Sequence, residues 1–183
     1  MEDQLFEISY AFNTFYTLMA GALVMWMAAG CTMLEAGFVR RRNTAEIVTK
    51  NIGLYSIACC MFLLAGYNAM YAGDSWRGII PDFDFSFGFS EFGGDASVQN
   101  LEDDGTPYYA SAADFFFQVV FVATAVSIVS GAVAERMNQW PFFGLAAAIA
   151  FFIYPVQGFW NWGGGFLTAD DGYGYSDYAG SGT

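Results

Sequence analysis

Four stretches of this chain contain no Asp, Glu, Lys or Arg: Ile8 to Leu34, Asn51 to Gly73, Phe115 to Ala134 and Met137 to Ala169. Each reaches or exceeds the roughly 20 residues that carry a helix across a bilayer. A water-soluble helix sets charged and polar residues on its exposed face, and these runs have no charge to put there. Charged residues make up 13% of the 183-residue chain, against about 25% in a soluble domain. The reading is all-α, a polytopic transmembrane helix bundle in one domain over 1–183. Its spans are predicted at about 9–35, 47–72, 113–134 and 139–161, with a long connection at 74–112.

An outer-membrane β-barrel is excluded by the same runs. The abundant Phe, Tyr and Gly suit a barrel, but barrel strands alternate lipid-facing and lumen-facing residues in segments of about ten. The first span is not a cleaved signal peptide either, because Glu2, Asp3 and Glu7 stand where a basic leader region would. A net charge of −12 with six basic residues in all leaves nothing to bind nucleic acid phosphates. Histidine is absent, which removes His-ligated metal sites and His general bases from these residues. Cys31, Cys59 and Cys60 fall inside predicted spans and read as small packing residues. No cofactor and no metal is expected.

Basic residues set the orientation, because cytoplasmic loops retain Lys and Arg near the membrane. Arg40, Arg41, Arg42 and Lys50 are read as lying between spans one and two, and Arg136 between spans three and four. Both connections are therefore expected in the cytoplasm, with the N-terminus and loop 74–112 outside, in a multi-pass inner (plasma) membrane protein. Only Arg77 departs from this pattern. Within the loop, Asp82-Phe83-Asp84-Phe85-Ser86-Phe87-Gly88-Phe89 alternates with period two and predicts either a short extended segment or a loop packed over the helices.

Charges at the membrane boundary are the first candidates for chemistry, since an ionised group inside hydrocarbon costs about 3 kcal/mol on the lenient scale. Glu35 follows span one and is expected at the inner interface, partnering Arg40 or Arg41 or capping the next helix. Glu135 and Arg136 are expected to hold the turn after span three. Asp114 opens span three, where a carboxylate suits the positive end of the helix dipole. Ser130-Gly131-Ala132 and Ala123-Thr124-Ala125 let helices approach closely. Phe117 and Phe121 are four apart and share a helical face. In Trp160-Asn161-Trp162-Gly163-Gly164-Gly165 a Trp stands beside a helix-breaking glycine triplet, leaving a ring face available to attract a cation.

Five strings in order resemble the ammonium transporter family, Amt/MEP/Rh. They are Met33-Leu34-Glu35-Ala36-Gly37-Phe38-Val39-Arg40 with Asn43, Phe115-Phe116-Phe117-Gln118-Val119-Val120-Phe121, Ile128-Val129-Ser130-Gly131-Ala132-Val133-Ala134-Glu135-Arg136, Trp162-Gly163-Gly164-Gly165, and Asp177-Tyr178-Ala179-Gly180-Ser181. The resemblance implies an eleven-helix transporter of two inverted halves, forming a homotrimer with one pore in each subunit. This chain would be the first half, about helices 1–4 and the start of a fifth at 177–183, a truncated fragment. The implied activity is transport of ammonium or ammonia, with methylammonium as analogue, in nitrogen uptake.

By the same resemblance Trp162 is the external cation–π recruitment residue, Phe121 the outer gate phenylalanine and Phe117 a further aromatic of the pore mouth. Asp177 is the buried aspartate supporting recruitment. Gln118 is placed by its string but given no role. Tyr178 stands where Phe is usual, and the family's pore histidines, second gate phenylalanine and recruitment serine would lie after Thr183. A cytoplasmic PII signal-transduction protein is the implied partner, together with the lipid bilayer. Two other readings stay open: an ammonium sensor with a transporter-like membrane domain, and a non-conducting membrane assembly subunit. An enzyme is not expected, because no nucleophile–base pair or phosphate-binding loop is present.

Overall fold

The computed structural model describes residues 2–71, 75–76, 78–83, 109–167 and 174–175. Asp177, the proposed start of a fifth helix at 177–183, Arg77 and most of loop 74–112 lie outside the described residues. Four helices among those described are long and apolar enough to cross a membrane. The first is α1, Glu2–Phe38. The second runs as α2, Thr44–Met61, through a π-helical turn at Phe62–Gly66 into α3, Tyr67–Met70. The third is α4, Ser111–Ala132. The fourth repeats the pattern of the second: α5, Gln139–Ala148, a π turn at Ile149–Ile153, then α6, Tyr154–Trp162.

These runs fold as helices because a backbone in hydrocarbon must bond within its own segment. Pro155 is tolerated just after the π turn, at the start of α6, where its missing N–H costs least. The two π turns face one another. A Cβ on Gly66 would stand 3.0 Å from the Ala150 carbonyl oxygen, so the missing side chain lets these two backbones meet. π turns are rare and recur at functional sites.

The core is shared by the second, third and fourth helices, with Leu54, Ala58, Phe62, Met70, Val122, Val126, Phe142 and Ala150 all buried. Helix α1 lies against α4 but buries little of itself, leaving Phe12, Phe15, Tyr16, Trp26, Met33 and Phe38 exposed. At one end of the bundle the helices are joined by short turns, at 39–43 and 133–138. At the other end a two-stranded hairpin, β1 Ser75–Trp76 and β2 Ile80–Pro81, pairs antiparallel with Trp76 opposite Ile80. Just beyond it, Phe83 stacks on Phe151 at 6.2 Å and meets Phe152 at 5.4 Å. That part of the alternating segment packs over the fourth helix; the remainder of it, from Asp84, is outside the described residues.

Candidate functional site

The fourth helix ends in the glycine triplet, and the geometry says why glycine is needed there. Gly164 takes a φ of +79°, in the left-handed region that glycine enters freely. A Cβ on Gly165 would fall 2.6 Å from the Trp160 Cα, and one on Gly163 would collide with the Met70 carbonyl oxygen. The N–H groups of Gly163 and Gly165 both donate to the Phe159 carbonyl, at 3.0 and 3.1 Å. The triplet thus seals the helix end tightly against α3 and leaves Trp162, the last helical residue, half-buried beside Gly158 and Met70. Trp160 Nε1 donates to the Ile79 carbonyl at 2.6 Å, and Phe166 N donates to that of Gly78 at 3.1 Å, tying the hairpin to the same corner.

Phe117 and Phe121 lie one turn apart on α4, edge to face, with centroids 4.9 Å apart. Both are half-buried. Beside them α4 carries a buried carboxylate. Asp114 is 3% exposed and accepts from the Tyr67 hydroxyl at 2.9 Å and the Tyr109 hydroxyl at 3.3 Å. One turn further along, Gln118 Nε2 donates to the Tyr71 hydroxyl at 2.9 Å. Phe115 closes this box, edge-on to Tyr67 at 5.3 Å. Asp114 does stand in the first turn of α4, as its dipole preference requires. Its main partners, however, are tyrosines of the second helix and of the segment before α4.

The short-turn end corrects two expectations. Glu35 does not pair with Arg40 or Arg41; it is 6% exposed, and its Oε2 accepts from Asn51 Nδ2 at 3.0 Å and Ser130 Oγ at 2.9 Å. Lys50 does not belong to the connection between helices. It is 5% exposed within α2, donating to the Ser130 carbonyl at 3.3 Å with its ammonium 4.8 Å over the Phe142 ring. The physical reason is the same for both. A charge inside the bundle is stabilised by donors, carbonyls and aromatic faces converging from several helices, which sequence separation hides. Ser127 Oγ extends the network to Asn51 Oδ1 at 2.9 Å.

Arg40 is taken up instead by Glu135. Glu135 Oε1 accepts from the Arg40 backbone N–H and from Asn43 Nδ2, both at 2.8 Å, and its Oε2 lies 3.9 Å from Arg40 Nε. These donors hold the Glu135 carboxyl below its ordinary range. Glu135 adopts a φ of +60°, an uncommon state for a residue with a side chain, and its clasp joins the turn after α4 to the turn after α1.

A model of the Ammonium Transporter Family matches residues 15–183. This chain belongs to the ammonium transporter family. The protein sll1017 of Synechocystis sp. is 37% identical over 175 residues, covering 96% of this chain and 36% of that protein. Ammonium transporter Amt2 of Archaeoglobus fulgidus is 36% identical over 174 residues, covering 91% of this chain and 34% of that protein. The solved structure named Sensor Amt Protein superimposes with a TM-score of 0.69 at 32% identity, over 89% of this chain and 36% of that one. The chain therefore spans about a third of the length of these relatives.

As an ammonium transporter family chain, this one carries features that its strings alone do not disclose. Phe117 and Phe121 are brought together and Trp162 is seated at a sealed helix end, while Asp177 lies outside the described residues. The Asp114 box and the Glu35 network are missed by sequence reasoning. One signal pointed to the network: Lys50-Asn51 is a charged and polar pair at the start of an apolar run, and an ionisable residue within a span is a functional candidate by default. For the box, Tyr67 and Tyr71 sit four apart, yet nothing in the sequence pairs them with Asp114.

Proposed function

We propose that this chain forms part of an ammonium transporter that recruits its cation on an aromatic face and passes it along an aromatic-lined path. The observation that carries the reading is Trp162, held at the end of the fourth helix by a glycine break in a chain of this family. A Trp face attracts a cation through its quadrupole as water is stripped away. Phe121 and Phe117 follow as gate and mouth aromatics, and Asp177 supports the recruited charge. In this reading the bundle is the first part of an eleven-helix fold, in a homotrimer in the plasma membrane, with its short turns in the cytoplasm and a PII protein as regulator.

The test uses the protein at its full natural length. Trp162→Leu and Asp177→Ala should each cut methylammonium uptake several-fold while leaving protein levels in the membrane intact. Unchanged uptake in both removes these residues from the path. A second reading, an ammonium sensor, is favoured by one observation: the similar solved structure is named a sensor. Ammonium-dependent signalling without uptake would select it.

A further inference from the structure

The Glu35 network has one atom that its own geometry leaves over. Glu35 Oε2 takes both donors, Asn51 Nδ2 and Ser130 Oγ, while Oε1 is buried and meets no donor. Among the described residues no basic nitrogen lies within salt-bridge reach of this carboxylate. Lys50, the nearest candidate, spends its ammonium on the Ser130 carbonyl and the Phe142 face. Ser130 therefore stands between the two charges, its hydroxyl serving Glu35 and its carbonyl serving Lys50. Two neutral donors stabilise a carboxylate only in part, and a buried oxygen with no donor keeps a strong demand for one.

The space beside that oxygen is shaped by a glycine. A Cβ on Gly131 would stand 3.6 Å from Oε1, in ordinary contact, so a side chain there would set carbon against the oxygen. Gly131 itself is exposed on α4, so the buried Oε1 lies next to a residue at the bundle surface.

We propose that Glu35 is a binding site for a small proton-bearing cation, taken at Oε1, distinct from the Trp162 corner. The shared chemistry is an acidic N–H or O–H, and it has two sources, hydronium and ammonium. In full transfer an O–H bond forms at Oε1 and the donor's bond to that proton breaks, releasing water or ammonia. Without transfer, ammonium is held as an N–H···O bond. The charges around the site are Lys50 and, one turn before it on α2, the exposed Glu46; from α4 come only the hydroxyls of Ser127 and Ser130, with Glu135 beyond its end, and from α5 only the Phe142 ring. The ammonium source rests on the transport reading; the proton source does not.

Infrared difference spectroscopy of the full-length protein, following both the C=O stretch of a protonated carboxyl and the stretches of the ionised carboxylate, tests the site. In one arm the pH is stepped without ammonium; in the other, ammonium chloride is added at fixed pH, with tetramethylammonium chloride as a control that has no N–H. The expected result is a carboxyl change present in the wild type and missing in Glu35→Gln. A change on the pH step alone identifies the proton; a change with ammonium and none with tetramethylammonium identifies ammonium. Two further variants keep the test decisive should Glu35→Gln fold poorly. Ser130→Ala removes one of the two donors to Oε2 and should shift the frequency of the Glu35 band. Gly131→Ala should weaken the ammonium response severalfold and spare the proton response. No carboxyl change in either arm, one that survives in Glu35→Gln, or one that Ser130→Ala leaves in place overturns the proposal. Methylammonium uptake by the wild type keeps the two readings apart: a Glu35 signal without uptake breaks the transport reading alone, and uptake without the signal breaks this one alone.

Discussion

Helix α4 is fastened at each end by a buried carboxylate, and the two ends are built differently. At the long-connection end Asp114 belongs to α4 itself and has both oxygens served by tyrosine hydroxyls. At the short-turn end the carboxylate comes from α1, one oxygen takes every bond, and the donors come from α2 and α4. The first arrangement closes the accounts of one helix with its neighbours. The second locks three helices through a single atom and leaves its twin unserved. Between them lie Phe117 and Phe121, so the proposed gate aromatics sit on a helix whose register is set from both sides.

This contrast predicts an order of effects. Glu35→Ala should be the most damaging, because it leaves Asn51 and Ser130 without their shared acceptor and removes the negative charge that offsets the buried Lys50 ammonium; breaking a buried charged arrangement costs about 3–5 kcal/mol. Asp114→Ala should cost less, about 1–3 kcal/mol, since it leaves tyrosine hydroxyls of which Tyr109 is only partly buried. Thermal midpoints of the detergent-solubilised protein would rank the two, and the reverse ranking would break the comparison.

Single-donor deletions sharpen it. Tyr67→Phe removes a bond to a carboxylate and should cost about 1.5–3 kcal/mol, whereas Ser127→Ala removes a neutral bond to Asn51 and should cost about 0.5–1.5 kcal/mol. Equal losses in the same unfolding assay would mean that Asp114 draws no more from its tyrosine than an amide draws from serine.

The smallest expected effect lies at the exposed clasp. Glu135 is held below its ordinary value of 4.5 by the Arg40 N–H and Asn43. A carboxyl depressed on folding contributes stability that is complete above its unfolded value and disappears as the pH falls through its folded value. Glu135→Gln should therefore match the wild type's dependence on pH at neutrality and lose part of its acid sensitivity below about 4.5. An unaltered acid limb would show the clasp to be energetically idle.

What the sequence disclosed follows the range of the interaction. Uncharged runs report on the solvent around a helix, one residue at a time, and four of them foretold four membrane-length helices. The glycine triplet is equally local, because the break it makes is written in adjacent residues. Glu35 and Lys50 are visible as charges but keep other company than their sequence neighbours suggest, while Asp114 stands at the helix start expected of it and only its tyrosine partners go unread. The partners of Glu35 lie 16 and 95 positions away and Tyr67 stands 47 from Asp114, whereas the sequence reading offers Glu35 its neighbours Arg40 and Arg41. Lys50 shows the error most plainly: counted as a loop charge that orients the chain, it instead sits over Phe142 inside the bundle. The π turns left no mark at all, since Phe62–Gly66 and Ile149–Ile153 are as apolar as the helices around them.

Those two turns are in effect insertions that the helices absorbed without breaking. With 3.6 residues per turn, one residue amounts to about 100° of rotation. Everything beyond Gly66 faces where it does because of the extra residue, and that includes Tyr67 and Tyr71; everything beyond Ile153 does likewise, and that includes Trp162. Deleting one residue from Phe62–Gly66 should restore a plain α-helix and swing the tyrosines about a quarter turn away from Asp114. The same deletion in Ile149–Ile153 should turn Trp162 off its seat against Met70. The two facing turns work as a paired phase adjustment that aims the far ends of two membrane helices at one corner.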